Sequence, residues 1–139
     1  MNQLAAQALI APFYDALNTP ASKDVATLIT AVASPDWRSF GSGAASKSRQ
    51  EFIQQVIGFG RLIPDLEWKI QEVLVDRESH RIIVRSEASG TPAGDFMGVP
   101  HSGRRFAIMT IDIHTVQDGQ LVCAHHVEDW ATALRQLRG

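Results

Sequence analysis

The apolar positions of this chain change period near its midpoint, and that change divides it into a helical half and a stranded half. Leu4, Ala8, Leu9, Phe13, Ala16 and Leu17 recur every three to four residues, predicting an amphipathic helix over about residues 3–17. Pro12 lies inside that span and predicts a kink or an irregular turn. A second helix is expected from Ser22, with Asp24 in its first turn and Val25, Leu28, Ile29 and Val32 buried. The third has the clearest start in the chain. Ser48-Arg49-Gln50-Glu51 is a capping box, in which a serine hydroxyl and a glutamate carboxylate each accept the other's backbone N–H. The stripe Phe52, Ile53, Val56, Ile57 and Phe59 follows it, and Gly58, Gly60 and Pro64 are expected to end the helix. Between the second and third helices, Asp36-Trp37-Arg38-Ser39-Phe40 reads as a short strand carrying two aromatics.

Beyond Pro64 the period becomes two. Strands are predicted over residues 66–76, 80–90, 104–116 and 120–129, with Arg77-Glu78-Ser79 turning the first pair. Helices first and antiparallel strands afterwards define an α+β fold, with the helices laid over one face of the sheet and a single domain spanning residues 1–139.

The last hairpin can close in two ways. A two-residue Asp118-Gly119 loop sets Asp112 opposite His125; a three-residue loop, a type I turn ending on a left-handed Gly119, moves the pairing by one residue. The three-residue loop sorts the faces better. It gathers Ala107, Met109, Ile111, Ile113 and Thr115 with Leu121, Cys123, His125, Val127 and Asp129 on a mostly apolar face. Ile108, Thr110, Asp112 and His114 with Val122, Ala124, His126 and Glu128 occupy the other. The expectation is therefore an apolar cavity wall that includes Met109 and Ile111 and holds two ionisable groups, His125 and Asp129, roughly 13 Å apart at about 3.3 Å per residue.

Composition narrows the partners. At 45% hydrophobic and 20% charged residues the chain is of ordinary globular make-up. A net charge of −2 argues against a nucleic-acid partner, which demands a basic face. No apolar run approaches the roughly 18–20 residues that span a bilayer, and the start Met1-Asn2-Gln3-Leu4 lacks the basic character of a secretory signal. The single Cys123 suits a reducing cytoplasm. Small molecules, or another copy of the chain, are the partners to expect.

The stretch from Gly90-Thr91-Pro92-Ala93-Gly94-Asp95-Phe96-Met97-Gly98 through Val99-Pro100-His101-Ser102-Gly103-Arg104 resembles a signature of the SnoaL-like polyketide cyclases, a family of the superfamily that includes nuclear transport factor 2 and ketosteroid isomerase. The end of the chain, Asp118-Gly119-Gln120-Leu121-Val122 through Asp129 to Leu134-Arg135-Gln136-Leu137, is similar to that family's closing motif. The resemblance implies a cone-shaped, curved, antiparallel-rich sheet with three N-terminal helices around an apolar cavity, and a homodimer formed through the outer sheet face. It also matches Asp129 to the aspartate that the cyclases use as acid–base residue in an intramolecular aldol closure. His125 stands where the family has tryptophan, Pro92 where it commonly has histidine, and Thr115 where it has arginine or histidine.

A carboxylate on an apolar wall is costly to ionise, so Asp129 is expected to titrate nearer neutrality, as a proton shuttle requires. A competing account makes Asp129 the N-cap of a short C-terminal helix, Trp130 to Leu137. His125 is a second acid–base candidate or a buried, satisfied histidine. Tyr14 and Trp37 are candidates for the cavity mouth or for the helix–sheet core, and residues 41–46 for a surface loop beside the cavity. The His125-His126 pair points to opposite strand faces and the remaining histidines lack ligand spacing, so neither a metal nor a cofactor is expected. Three functions fit: an acid–base enzyme acting on a small, largely apolar substrate by cyclisation, isomerisation or hydrolysis; a non-catalytic binder of a hydrophobic molecule; or a dimerising structural module.

Overall fold

A computed structural model describes residues 1–43 and 45–139 of the chain. Helix α1 spans Gln3–Ala16, capped by the Asn2 side chain, which accepts the Ala5 backbone N–H. Its helical run is unbroken at Pro12, and it buries Ala6, Ile10, Phe13, Tyr14 and Ala16. A 3-10 turn over Pro20–Ser22 precedes α2, Val25–Thr30. The second helix therefore starts three residues later than its expected Ser22, because Asp24 is its cap, accepting from Thr27 N at 3.2 Å. Val32, expected inside that helix, is buried just beyond it. Strand β1, Ala33–Phe40, is longer than the aromatic segment suggested; the short β2, Ser46–Ser48, is unexpected and begins at the last residue of the span 41–46 expected to be loop. Of that span, residue 44 lies outside the described residues.

Helix α3, Arg49–Leu62, begins with the expected capping box, both reciprocal bonds present. It runs through Gly58 and Gly60 to Leu62, so the glycines do not end it. Gly60 is there for proximity: a Cβ at that position would stand 2.8 Å from Pro20 Cβ and 2.9 Å from the Ala21 nitrogen. Strands β3 (Glu67–Asp76), β4 (Arg81–Gly90), β5 (Phe106–Gln117) and β6 (Gln120–Glu128) follow, and α4 (Trp130–Arg138) closes the chain. The sheet runs β2-β1-β6-β5-β4-β3, antiparallel throughout except for the parallel β1–β6 pair.

Two expectations about the last hairpin are corrected. Gln117 pairs with Gln120, so the loop is the two-residue Asp118-Gly119, with φ of 52° and 74° as a type I′ turn needs. The register then slips between Thr115 and Val116, where Val122 is the extra residue of a bulge, and Asp112 comes to face His126. The second correction is which face turns inward. On β4, Ile82, Val84, Ser86 and Ala88 are at most 1% exposed and point to the helices. Pairing Ile82 with His114 and Val84 with Asp112 carries those two polar residues inside with them. Met109 (54% exposed), Ile111 (37%) and Val127 (56%) lie on the outer face instead.

Candidate functional site

The helices and the inner sheet face enclose a cavity of about 120 Å³. One water needs roughly 10–15 Å³, so this space admits a small ring rather than a lone solvent molecule. Phe13 of α1 and Phe52 of α3 stack at 5.4 Å on its helical side, and Trp37 of β1 tilts against Phe52 at 5.0 Å. Phe59, Trp68, Met97 and Trp130 continue the apolar wall. The polar wall comes from the sheet: Asp112 on β5 with His126 and Glu128 on β6, and Ser39 beside them on β1. No lysine or arginine is among the lining residues.

Asp112 is 6% exposed, and burial lifts its carboxyl from 3.8 to about 6. The hydrogen bond donated by Tyr14 partly opposes that rise; the negative charge of Glu128 adds to it and the nearby His126 reduces it. Tyr14 Oη stands 2.6 Å from Asp112 Oδ2 and 2.7 Å from His114 Nε2. Burial, then the Asp112 charge, raises the phenol well above its ordinary value. His114 is fully buried, and burial pulls its imidazole down to about 4, so it is neutral at pH 7. Its Nδ1 has no partner among the described residues.

His126 and Glu128 are two residues apart on β6 and so share its inner face. His126 Nδ1 and Glu128 Oε2 are 2.5 Å apart, and that bond raises the imidazole above 6.5. The carboxylate holds one ring nitrogen and leaves Nε2 free, the arrangement that orients an imidazole for proton transfer. Gly41 gives that edge room, since even a Cβ there would lie 3.5 Å from Nε2. Asp112 and His126 are direct cross-strand partners, with Cβ atoms about 4.5–5.5 Å apart in such pairs.

The residues singled out from sequence separate into two groups. Trp37 lines the cavity, and Tyr14 is buried behind its wall, bonded to Asp112. Met109, Ile111, His125 and Asp129 are not at the cavity. His125 lies on the outer face, its ring stacked on Phe40 at 4.9 Å. Asp129 is exposed and caps α4, accepting from Thr132 N at 3.1 Å and Thr132 Oγ1 at 2.7 Å. Those bonds lower its carboxyl, the reverse of the rise expected on an apolar wall. Asp112, His114, His126 and Glu128 were missed because they were assigned to the outside. The alternation of β4, charged at Arg81, Arg85 and Glu87 and apolar at Ile82, Val84 and Ala88, is the signal that places them inside.

A curved six-stranded sheet with helices over one face and a mixed acid–base wall inside the cone defines a small α+β cavity protein. A family model for the SnoaL-like polyketide cyclases matches residues 8–137. The chain belongs to that family. Its fold is shared by TsrD of Streptomyces laurentii, at 21% identity and a TM-score of 0.83, covering 99% of this chain and 97% of that one. IdmH of Streptomyces antibioticus, described as a candidate polyketide cyclase, superposes with a TM-score of 0.80 at 25% identity, covering 96% and 98%. AclR of Streptomyces galilaeus, described as a candidate hydroxylase, does so with 0.81 at 22%, covering 99% and 98%. No curated protein matches the chain. No helix among the described residues is long and apolar enough to cross a membrane.

Proposed function

We propose that this chain is an acid–base enzyme acting on a small, largely apolar carbonyl compound, with Asp112 as base and His126 as acid. The observation that carries this reading is the cross-strand placement of those two groups on the one polar wall of an aromatic cavity. With a midpoint of about 6, Asp112 is mostly ionised at pH 7 and is a stronger base than an ordinary carboxylate. Glu128 favours the protonated form of His126, the form that has a proton to give. A C–H bond beside the carbonyl breaks, its proton passes to Asp112, and the electron pair enters an enolate whose oxygen is met by His126 Nε2–H. Attack of that enolate on a second carbonyl of the same molecule closes a ring, and the alkoxide so formed takes the proton back from Asp112; return of the proton to another carbon instead isomerises the molecule. Cyclisation is the form that the family name and the description of IdmH favour.

Deuterium exchange tests the first step without knowledge of the product. Small aryl ketones and cyclic 1,3-diketones in D2O should exchange their α-hydrogens faster with the chain present. Asp112→Asn should lose at least 100-fold of that acceleration, within the usual reach of a positioned acid or base of roughly 10²–10⁴. Equal exchange in Asp112→Asn, His126→Gln and the unaltered chain sinks the proposal. Two lesser readings accompany it. The exposed Leu74, Met109, Ile111 and Val127 support a homodimer through the outer sheet face, which sedimentation at micromolar concentration tests. The single unpaired thiol of Cys123 supports a reducing, cytoplasmic setting.

A further inference from the structure

Tyr14 Oη lies within hydrogen-bond distance of two groups at once, Asp112 Oδ2 at 2.6 Å and His114 Nε2 at 2.7 Å. A phenol has a single proton, so the direction of each bond depends on where His114 carries its own. Suppose the imidazole proton sits on Nδ1. That buried N–H would then have no acceptor among the described residues. With Asp112 ionised, the hydroxyl would also face two acceptors and could satisfy one, leaving lone pairs opposed across the other short contact. With the proton on Nε2, both contacts become hydrogen bonds. Only a bare lone pair on Nδ1 is left over, and burying that costs less than burying an orphan donor.

We propose that His114, as its Nε2–H tautomer, is a positioning residue that locks the Tyr14 hydroxyl onto Asp112 Oδ2 and leaves Oδ1 as the atom that takes a proton from the ligand. This rests on the reading of Asp112 as the base. His114 never meets the ligand; it acts through Tyr14. Oδ1 takes no hydrogen bond from the described residues, so the two carboxylate oxygens have different tasks, one tethered and one open. The groups facing Asp112 agree with this arrangement. Tyr14 comes from α1, His114 from β5 itself, His126 and Glu128 from β6, and Val84 from β4 is apolar; α3 adds the uncharged Gln55 to the same cavity. Tyr14 and His114 thus supply the hydrogen bonding that keeps a buried carboxylate ionised near neutrality, against the desolvation that would otherwise protonate it.

The tautomer is measurable in the unaltered chain. Nitrogen-15 shifts of a histidine-labelled sample at pH 7 should show His114 with a bare Nδ1 and a protonated Nε2, the signal being assigned by its loss in His114→Gln. The Nδ1–H tautomer overturns the proposal. Carbon-13 titration of the Asp112 carboxyl supplies a second readout. Tyr14→Phe removes a bond to a charged group and should raise its midpoint by about one to two pH units. His114→Leu should raise it by a smaller amount. His114→Gln, whose side-chain amide can still donate from the Nε2 position, should stay within about 0.3 units of the unaltered chain. Identical midpoints in all four chains also overturn it. Both measurements are made without ligand, so their outcome is separate from whether Asp112 abstracts a proton from any carbon acid.

Discussion

Replacing Asp112 by Asn should stabilise the fold, and only at a pH where the carboxyl is charged. The folded-state midpoint of about 6 lies above the ordinary 3.8. Between those values the folded chain keeps a proton that the unfolded chain has lost. Stability therefore falls as pH rises through this window, and the difference of about two pH units corresponds to about 3 kcal/mol above pH 6. Asn is nearly the same shape, can still pair with Tyr14, and has no charge to bury. The gain of Asp112→Asn over the unaltered chain should thus be close to zero at pH 4 and grow to about 2–3 kcal/mol by pH 8. His114, whose depressed midpoint of about 4 works in the opposite sense at acid pH, is present in both chains and cancels in the comparison. Urea unfolding at pH 4, 5, 6, 7 and 8, followed by far-ultraviolet circular dichroism, measures the difference directly. A gap that stays flat with pH, or an Asn chain that weakens relative to the parent as pH rises, would refute the account of Asp112 as a carboxylate held ionised against its surroundings. Such a cost is expected of a group kept for chemistry rather than for stability.

Two glycines of α3 should respond to alanine with opposite signs. Gly58→Ala meets nothing within 4 Å and should gain up to about 1 kcal/mol of helix propensity. Gly60→Ala drives a methyl into the backbone at Ala21 and should lose up to about 2 kcal/mol net, overpacking of roughly 1–3 kcal/mol being set against the same propensity gain of about 1 kcal/mol. Differential scanning calorimetry that found both variants stabilised would remove the close approach of α3 to the Pro20 turn. At the last helix, Asp129→Asn should keep both stability and deuterium exchange, because Asn caps about as well. Asp129→Ala should lose about 1 kcal/mol and leave exchange unchanged; a large loss of exchange in Asp129→Asn at intact stability would return that residue to the chemistry.

Local signals were legible in proportion to how locally they act. Ser48 and Glu51 start α3 through bonds spanning three residues. The Asp118-Gly119 dipeptide marks the last turn, but sorting the strand faces favours a three-residue loop where the chain closes with two. The direction of the β5 faces depends instead on β4, joined to it through the long segment from Thr91 to Arg105, whose length sets no register. Judged alone, the Met109-Ile111 face of β5 is the apolar one and belongs inside. Tyr14, 98 residues from Asp112 in sequence, supplies the partner that makes the polar face the buried one. The bulge at Val122 adds a second nonlocal element, since it restores the face relation that the two-residue loop alone would reverse. The family resemblance had the fold, yet its Asp129 lands on a helix cap in this chain.

The cavity walls contain every tryptophan the chain possesses: Trp37, Trp68 and Trp130. No indole elsewhere dilutes the signal, so the intrinsic emission of this protein is the emission of its cavity. A molecule that enters packs against these rings and changes their wavelength or yield, whether or not it is turned over. Candidate compounds can therefore be ranked by simple spectral titration of the unlabelled chain before any reaction is known.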